Sequence, residues 1–171
     1  MWWPGNNKVK LWGAVLLVLG LVAVPRHAGA PPPPSPSITL TGGWSRTIGA
    51  SDLIAGAGSD LSSTYQSAAD AVSITISGTA GVGDNWEVEV KKSGAGWPSS
   101  FILWVKRTSS GTGGSVSGGT TYQTVTGTSS SFFSGSDDVS GINVQLQLSG
   151  VSILPYDTYT TTVTYTLVDT P

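Results

Sequence analysis

The most regular feature of this chain is a two-residue alternation of apolar and polar positions. In residues 71–77, Val72, Ile74 and Ile76 fall on one side and Ser73, Thr75 and Ser77 on the other. In residues 85–91, Trp86, Val88 and Val90 oppose Glu87, Glu89 and Lys91. Residues 142–148 set Ile142, Val144, Leu146 and Leu148 against Asn143, Gln145 and Gln147. Residues 159–167 set Tyr159, Thr161, Val163, Tyr165 and Leu167 against threonines. Successive side chains of a strand point to opposite faces, so each segment reads as a strand with one core face and one wet face. Residues 37–41, with Ile38 and Leu40 on one side, form a shorter strand of the same kind. Residues 44–48 and 120–126 are further strands, and 52–55 a short edge strand. Residues 101–107 are apolar on both faces up to Val105, as in a central strand. No ten-residue stretch repeats with a period of 3.6, although residues 63–71 have room for one helical turn.

Between these runs lie turn residues. Gly42 and Gly43 interrupt the first pair of strands. SSGTGGSVSGG over 109–119 reads as a flexible loop. Residues 129–138 read as a polar loop carrying Phe132 and Phe133, and Pro155 opens a turn through Thr158. Short strands with this punctuation predict an all-β fold, an Ig-like antiparallel β-sandwich of about seven to nine strands.

The N-terminus follows another pattern. Lys8 and Lys10 precede an uninterrupted apolar run over 11–24, followed by Pro25, Arg26 and the small residues Ala28, Gly29 and Ala30. This is the layout of a secretory signal peptide cleaved after Ala30. As a helix the run would rise about 21 Å, short of the roughly 30 Å of a bilayer core. The expected organisation is a removed signal over 1–30, a Pro-rich spacer over 31–36, extended as polyproline II, and a single sandwich domain over 37–171. The mature chain is then secreted to the extracellular surface, with no membrane association after signal removal.

Composition sharpens this picture. The chain has 171 residues, no cysteine, one histidine and a net charge of −2. Removing residues 1–30 takes away the histidine and leaves five cations against ten carboxylates, a net charge of −5. A chain without His or Cys cannot assemble Ser/His/Asp or Cys/His catalysis, nor a thiolate metal site. A mild negative charge gives no reason to expect nucleic acid. Glu87 and Glu89 share the wet face of one strand, where a glycosidase would place its carboxylates across a cleft. Asp137 and Asp138 are the weak candidates for calcium, although adjacent carboxylates diverge. No catalytic residue and no cofactor are expected.

Two surfaces remain as leads. Trp97, before Pro98 in a Gly/Ser-rich segment, and Trp44 are candidates for stacking on a sugar ring, which would make the domain a polysaccharide-binding module. Trp86, in register with Val88 and Val90, belongs to the core. The second lead is Ser37, Ile38, Thr39, Leu40 and Thr41, a short alternating strand tethered by prolines and followed by two glycines. Such a strand can complete its own sheet or add to that of a neighbour.

Residues 150–167, GVSILPYDTYTTTVTYTL, resemble the last strand region of secreted bacterial pilin-like and spore-coat-type subunits, in which a proline or glycine turn precedes a Tyr-x-x-Thr-Val-x-Tyr strand. The chain departs from many of these in lacking a cysteine pair and in carrying Asp157 and Thr158 where a glycine is usual. The resemblance implies an Ig-like surface subunit that assembles with itself or related subunits by strand exchange. The function expected from the sequence is therefore a non-enzymatic structural or adhesive subunit of a filament or coat.

Overall fold

The computed structural model describes residues 11–17, 35–81, 83–151 and 157–170. These residues form strands and connections, with one 3-10 turn at Ala50–Asp52 and no α-helix. In chain order the strands are β1 (Leu11–Leu17), β2 (Ser37–Gly42), β3 (Ser45–Ile48), β4 (Thr64–Gln66), β5 (Val72–Ser77), β6 (Asn85–Ser93), β7 (Ile102–Arg107), β8 (Thr112–Gly118), β9 (Gln123–Thr124), β10 (Ser130–Ser149) and β11 (Thr158–Thr170). The expected all-β sandwich is what the chain forms.

Its two layers share one strand. The first part of β10 pairs with β6 and β8, and β6 pairs in turn with β11. The second part pairs with β4 and β5 on one side and β7 on the other. One layer therefore runs β8–β10–β6–β11–β1–β3, and the other β2–β5–β10–β7–β9 with β4 beside β10. All pairings are antiparallel except β1 with β11. Where β10 passes between layers its register shifts against both β5 and β8. Asp137 stands at the bend with φ 62°, the only positive φ outside glycine among the described residues. Such bulges bend a strand and re-aim its side chains.

The alternating faces meet between the layers. Trp86, Val88, Val90, Val163 and Tyr165 from one layer pack with Ile74, Ile76, Leu103, Val105, Val144 and Leu146 from the other, all fully buried. A second cluster of Ile48, Tyr65, Phe101 and Leu148 closes one end, with Trp44, Trp97 and Tyr159 packed against it.

Five sequence expectations are corrected. Residues 109–119 are not a loop, because β8 occupies 112–118 as an edge strand. Its glycines let it lie against β10 where side chains would collide: a Cβ on Gly114 would meet the Ser136 carbonyl. Residues 129–138 are the first part of β10 rather than a polar loop, and both Phe132 and Phe133 are buried. Residues 63–71 hold β4 and a turn in place of a helical turn, because Tyr65 is drawn inward opposite Leu148. Residues 52–55 give the end of the 3-10 turn and a single bridge, Leu53 to Leu61, instead of a strand. The expected strand over 120–126 shrinks to β9, although Val125 is buried. The turn around Pro155 lies outside the described residues, as do all of 1–30 except β1 and, of the spacer, 31–34.

Candidate functional site

Most charged side chains act as local braces. Asp138 Oδ1 accepts the Thr79 amide at 3.0 Å and the Thr79 hydroxyl at 2.8 Å. These bonds hold its carboxyl below the usual carboxylate range. Asp137 Oδ1 accepts the Gly83 amide at 2.7 Å, and Asp84 Oδ2 accepts the Ala80 amide at 2.6 Å. The two calcium candidates thus tie the 78–84 connection to the bend of β10. N–H groups present partial positive charge to these oxygens, an environment that opposes a cation. Among the described residues no group of three or more His, Asp or Glu could hold a metal ion.

The cations behave in the same way. Arg46 pairs with Asp52 and lies 5.5 Å from the Tyr65 ring centroid. Lys92 stands 5.8 Å from the Trp97 ring and Lys106 4.6 Å from the Tyr122 ring. Arg107, buried between layers, donates from Nε to the Gly118 carbonyl at 2.8 Å, and from Nη1 to the Ser109 carbonyl at 3.2 Å and the Ser110 hydroxyl at 2.8 Å. Burial lowers its pKa from the ordinary value. The sequence shows Arg107 only as the polar end of a strand, and nothing in the local pattern marks it as the clasp between β7 and β8. Glu89 accepts the Ser129 hydroxyl at 2.6 Å on the outer side of β6.

The sugar-stacking candidates lie at the closed end of the sandwich. Trp97 folds back as a lid: its ring meets Phe101 edge-on at 5.4 Å, and Nε1 donates to the Phe101 carbonyl at 3.2 Å. Phe101 meets Tyr159 edge-on at 5.5 Å. Trp44 is half-buried against both clusters. Trp86, the expected core residue, is 1% exposed and donates from Nε1 to the Asp137 carbonyl at 2.9 Å.

The strand-exchange candidate Ser37 to Thr41 forms β2 and pairs within its own chain. Ile38 faces Ile76 and Leu40 faces Ile74 in an antiparallel register along β5. It is the outermost strand of its layer, bonded on one side.

The other layer has a distinctive position in β1. This strand runs parallel to β11, from Trp12 opposite Thr158 to Leu17 opposite Val163. On its other side it runs antiparallel to β3, from Leu11 opposite Ile48 to Ala14 opposite Ser45. β3 pairs with no other described strand, and residues 158–161 precede the part of β11 that pairs with β6. A segment of leader composition therefore supplies the main-chain partners of two strands. The alternation pattern does not foresee this, because an apolar run shows no period of two.

Among the described residues no helix is long and apolar enough to cross a membrane. Comparison with protein-family models, with curated proteins and with solved structures found no match to this chain.

Proposed function

We propose that the protein is a secreted, non-enzymatic structural or adhesive subunit of a cell-surface filament or extracellular coat, and that it assembles by β-strand addition. The observation that carries this reading is the position of β1 between β3 and β11. If residues 1–30 are removed on export, that position empties. β3 loses its partner strand, and the start of β11 becomes an open strand edge beside the aromatic end of the core. An open strand edge is a template for pairing, so the gap favours an extended segment that fills it.

The donor with the right form is β2 of a neighbour. It is short, alternating, held along one edge only, and tethered by the proline-rich stretch. Within one molecule it rests on β5; in an assembly it moves to the gap of the next copy. The absence of thiols fits such a subunit, because strand addition joins subunits through main-chain hydrogen bonds without cross-linking chemistry.

Electron microscopy and size-exclusion chromatography of the chain beginning at Pro31 test the reading. Concentration-dependent polymers are expected, and removal of residues 31–41 should abolish them. A monomer at every concentration, unchanged by that deletion, would overturn it.

A further inference from the structure

The outer face of the layer β2–β5–β10–β7–β9, with β4 beside β10, gathers aromatic rings and carboxamides. Because Leu103, Val105, Leu146, Leu148 and Tyr65 turn inward, their neighbours in sequence share the opposite face. The pairing registers set Gln66 opposite Gln147, Gln147 opposite Trp104, and Trp104 opposite Thr124. This is one straight row across four strands, about 14 Å long at the usual strand spacing. One step along the strands, Gln145 is opposite Lys106, and Lys106 Nζ lies over the Tyr122 ring at 4.6 Å.

The groups in these rows are held in place. Trp104 Nε1 donates to the Ser149 hydroxyl at 2.8 Å, which fixes the indole. The Tyr122 hydroxyl donates to Gln145 Oε1 at 3.0 Å, and Gln145 Nε2 donates to the Ser67 carbonyl at 2.8 Å. Gln66 Nε2 donates to Gln147 Oε1 at 3.0 Å. The face thus combines two ordered aromatic rings with three ordered carboxamides. Elsewhere on this layer the outward positions of β2 and β5 are Ser37, Thr39, Thr41, Ser73, Thr75 and Ser77, and Lys106 is the single charge on the outward strand positions.

We infer that this face binds a neutral polysaccharide laid across the strands, with Trp104 and Tyr122 stacking on sugar rings and Gln66, Gln145 and Gln147 bonding to hydroxyls. The chemistry selects this ligand. A stable protein interface has a fully desolvated apolar centre, whereas this row runs amide, amide, indole, hydroxyl, with Ile102 the one large exposed apolar side chain beside it. Nucleic acid would require several cations. Hydroxyl-rich rings match flat aromatic faces flanked by neutral donors and acceptors, and prearranged side chains bind with less loss of conformational freedom. The inference is independent of strand addition, because its residues lie on β4, β7, β10 and beside β9, and none lies on β1, β2, β3 or β11.

Affinity electrophoresis in gels containing soluble β-glucan, xylan or mannan, together with sedimentation on insoluble cellulose and chitin, tests it. The protein should be retarded or sedimented by at least one of these. Trp104→Ala and Tyr122→Ala should each weaken retention roughly tenfold or more, the scale of one stacked ring. Trp97→Phe, at the closed end, should leave it unchanged. Gln66→Lys alters an exposed position of the row without touching the core, and should also weaken retention should either aromatic variant fail to fold. Polymer formation should be unaffected in Gln66→Lys, which separates this site from assembly. No retention on any of these glycans, or retention insensitive to Trp104, Tyr122 and Gln66 but lost with Trp97, would overturn the inference.

Discussion

At the scale of single residues, two positions show how closely the core is fitted. Gly135 stands opposite Trp86 across β6 and β10, and the indole lies over it. A Cβ at 135 would collide with that ring and with the Ser115 carbonyl. Gly135→Ala should therefore destabilise the fold by about 1–3 kcal/mol through overpacking, read as a lower denaturation midpoint with an unchanged slope. Tyr165 is wholly buried, and its hydroxyl has no hydrogen-bond partner among the described residues. Burial disfavours the phenolate and pushes the pKa far above its ordinary value. The neutral form is thus favoured by folding. That contribution is complete below about pH 10 and is lost as pH rises toward the folded value. Tyr165→Phe should raise stability by about 1 kcal/mol at neutral pH and flatten the alkaline end of a pH–stability curve. A loss of stability in this variant would mean that the hydroxyl has a partner.

At the scale of elements, legibility followed side-chain contrast. β5, β6, β11 and the second part of β10 carry alternating apolar and polar residues, so their faces were readable without coordinates. β8 and the first part of β10 were read as loops because Gly113, Gly114, Gly118, Ser115, Ser117 and Ser134 have little contrast to offer. They are strands because glycine permits the close approach of β8 to β10, a tertiary cause with no local signature. The candidate site was legible only in part. Trp97 stands out in the sequence as a loop tryptophan, but its packing on Phe101 and the row through Gln66, Gln147, Trp104 and Thr124 depend on which segments become neighbours. The 78–84 connection yields a prediction at this scale. Asp138 is held below its ordinary pKa by Thr79, so the tie is fully formed above about pH 4 and is lost as pH falls through the folded value. The protection factor of the Thr79 amide, its rate relative to the unprotected rate at the same pH, should fall over that acid range in the native protein. In Asp138→Ala that protection should be lost already at neutral pH.

At the scale of the whole molecule, one strand passes between two layers and another is borrowed from the N-terminal apolar run. The bend at Asp137 lets β10 carry hydrogen bonds in both layers, so the sandwich is joined through its middle as well as by its core. The periphery is less fully bonded: among the described residues β1 is the only strand paired with β3 and with residues 158–161 of β11, although Thr161 Oγ1 also donates to the Ser93 carbonyl at 3.1 Å. The function proposed here places subunit joining at that position. Hydrogen exchange of the chain beginning at Pro31 measures it directly, comparing dilute monomer, assembled protein, and monomer supplied with a peptide of sequence LWGAVLL. The account predicts fast exchange of the amides of 158–161 in the monomer, and protection on assembly or peptide binding. Equal protection in all three states would contradict it.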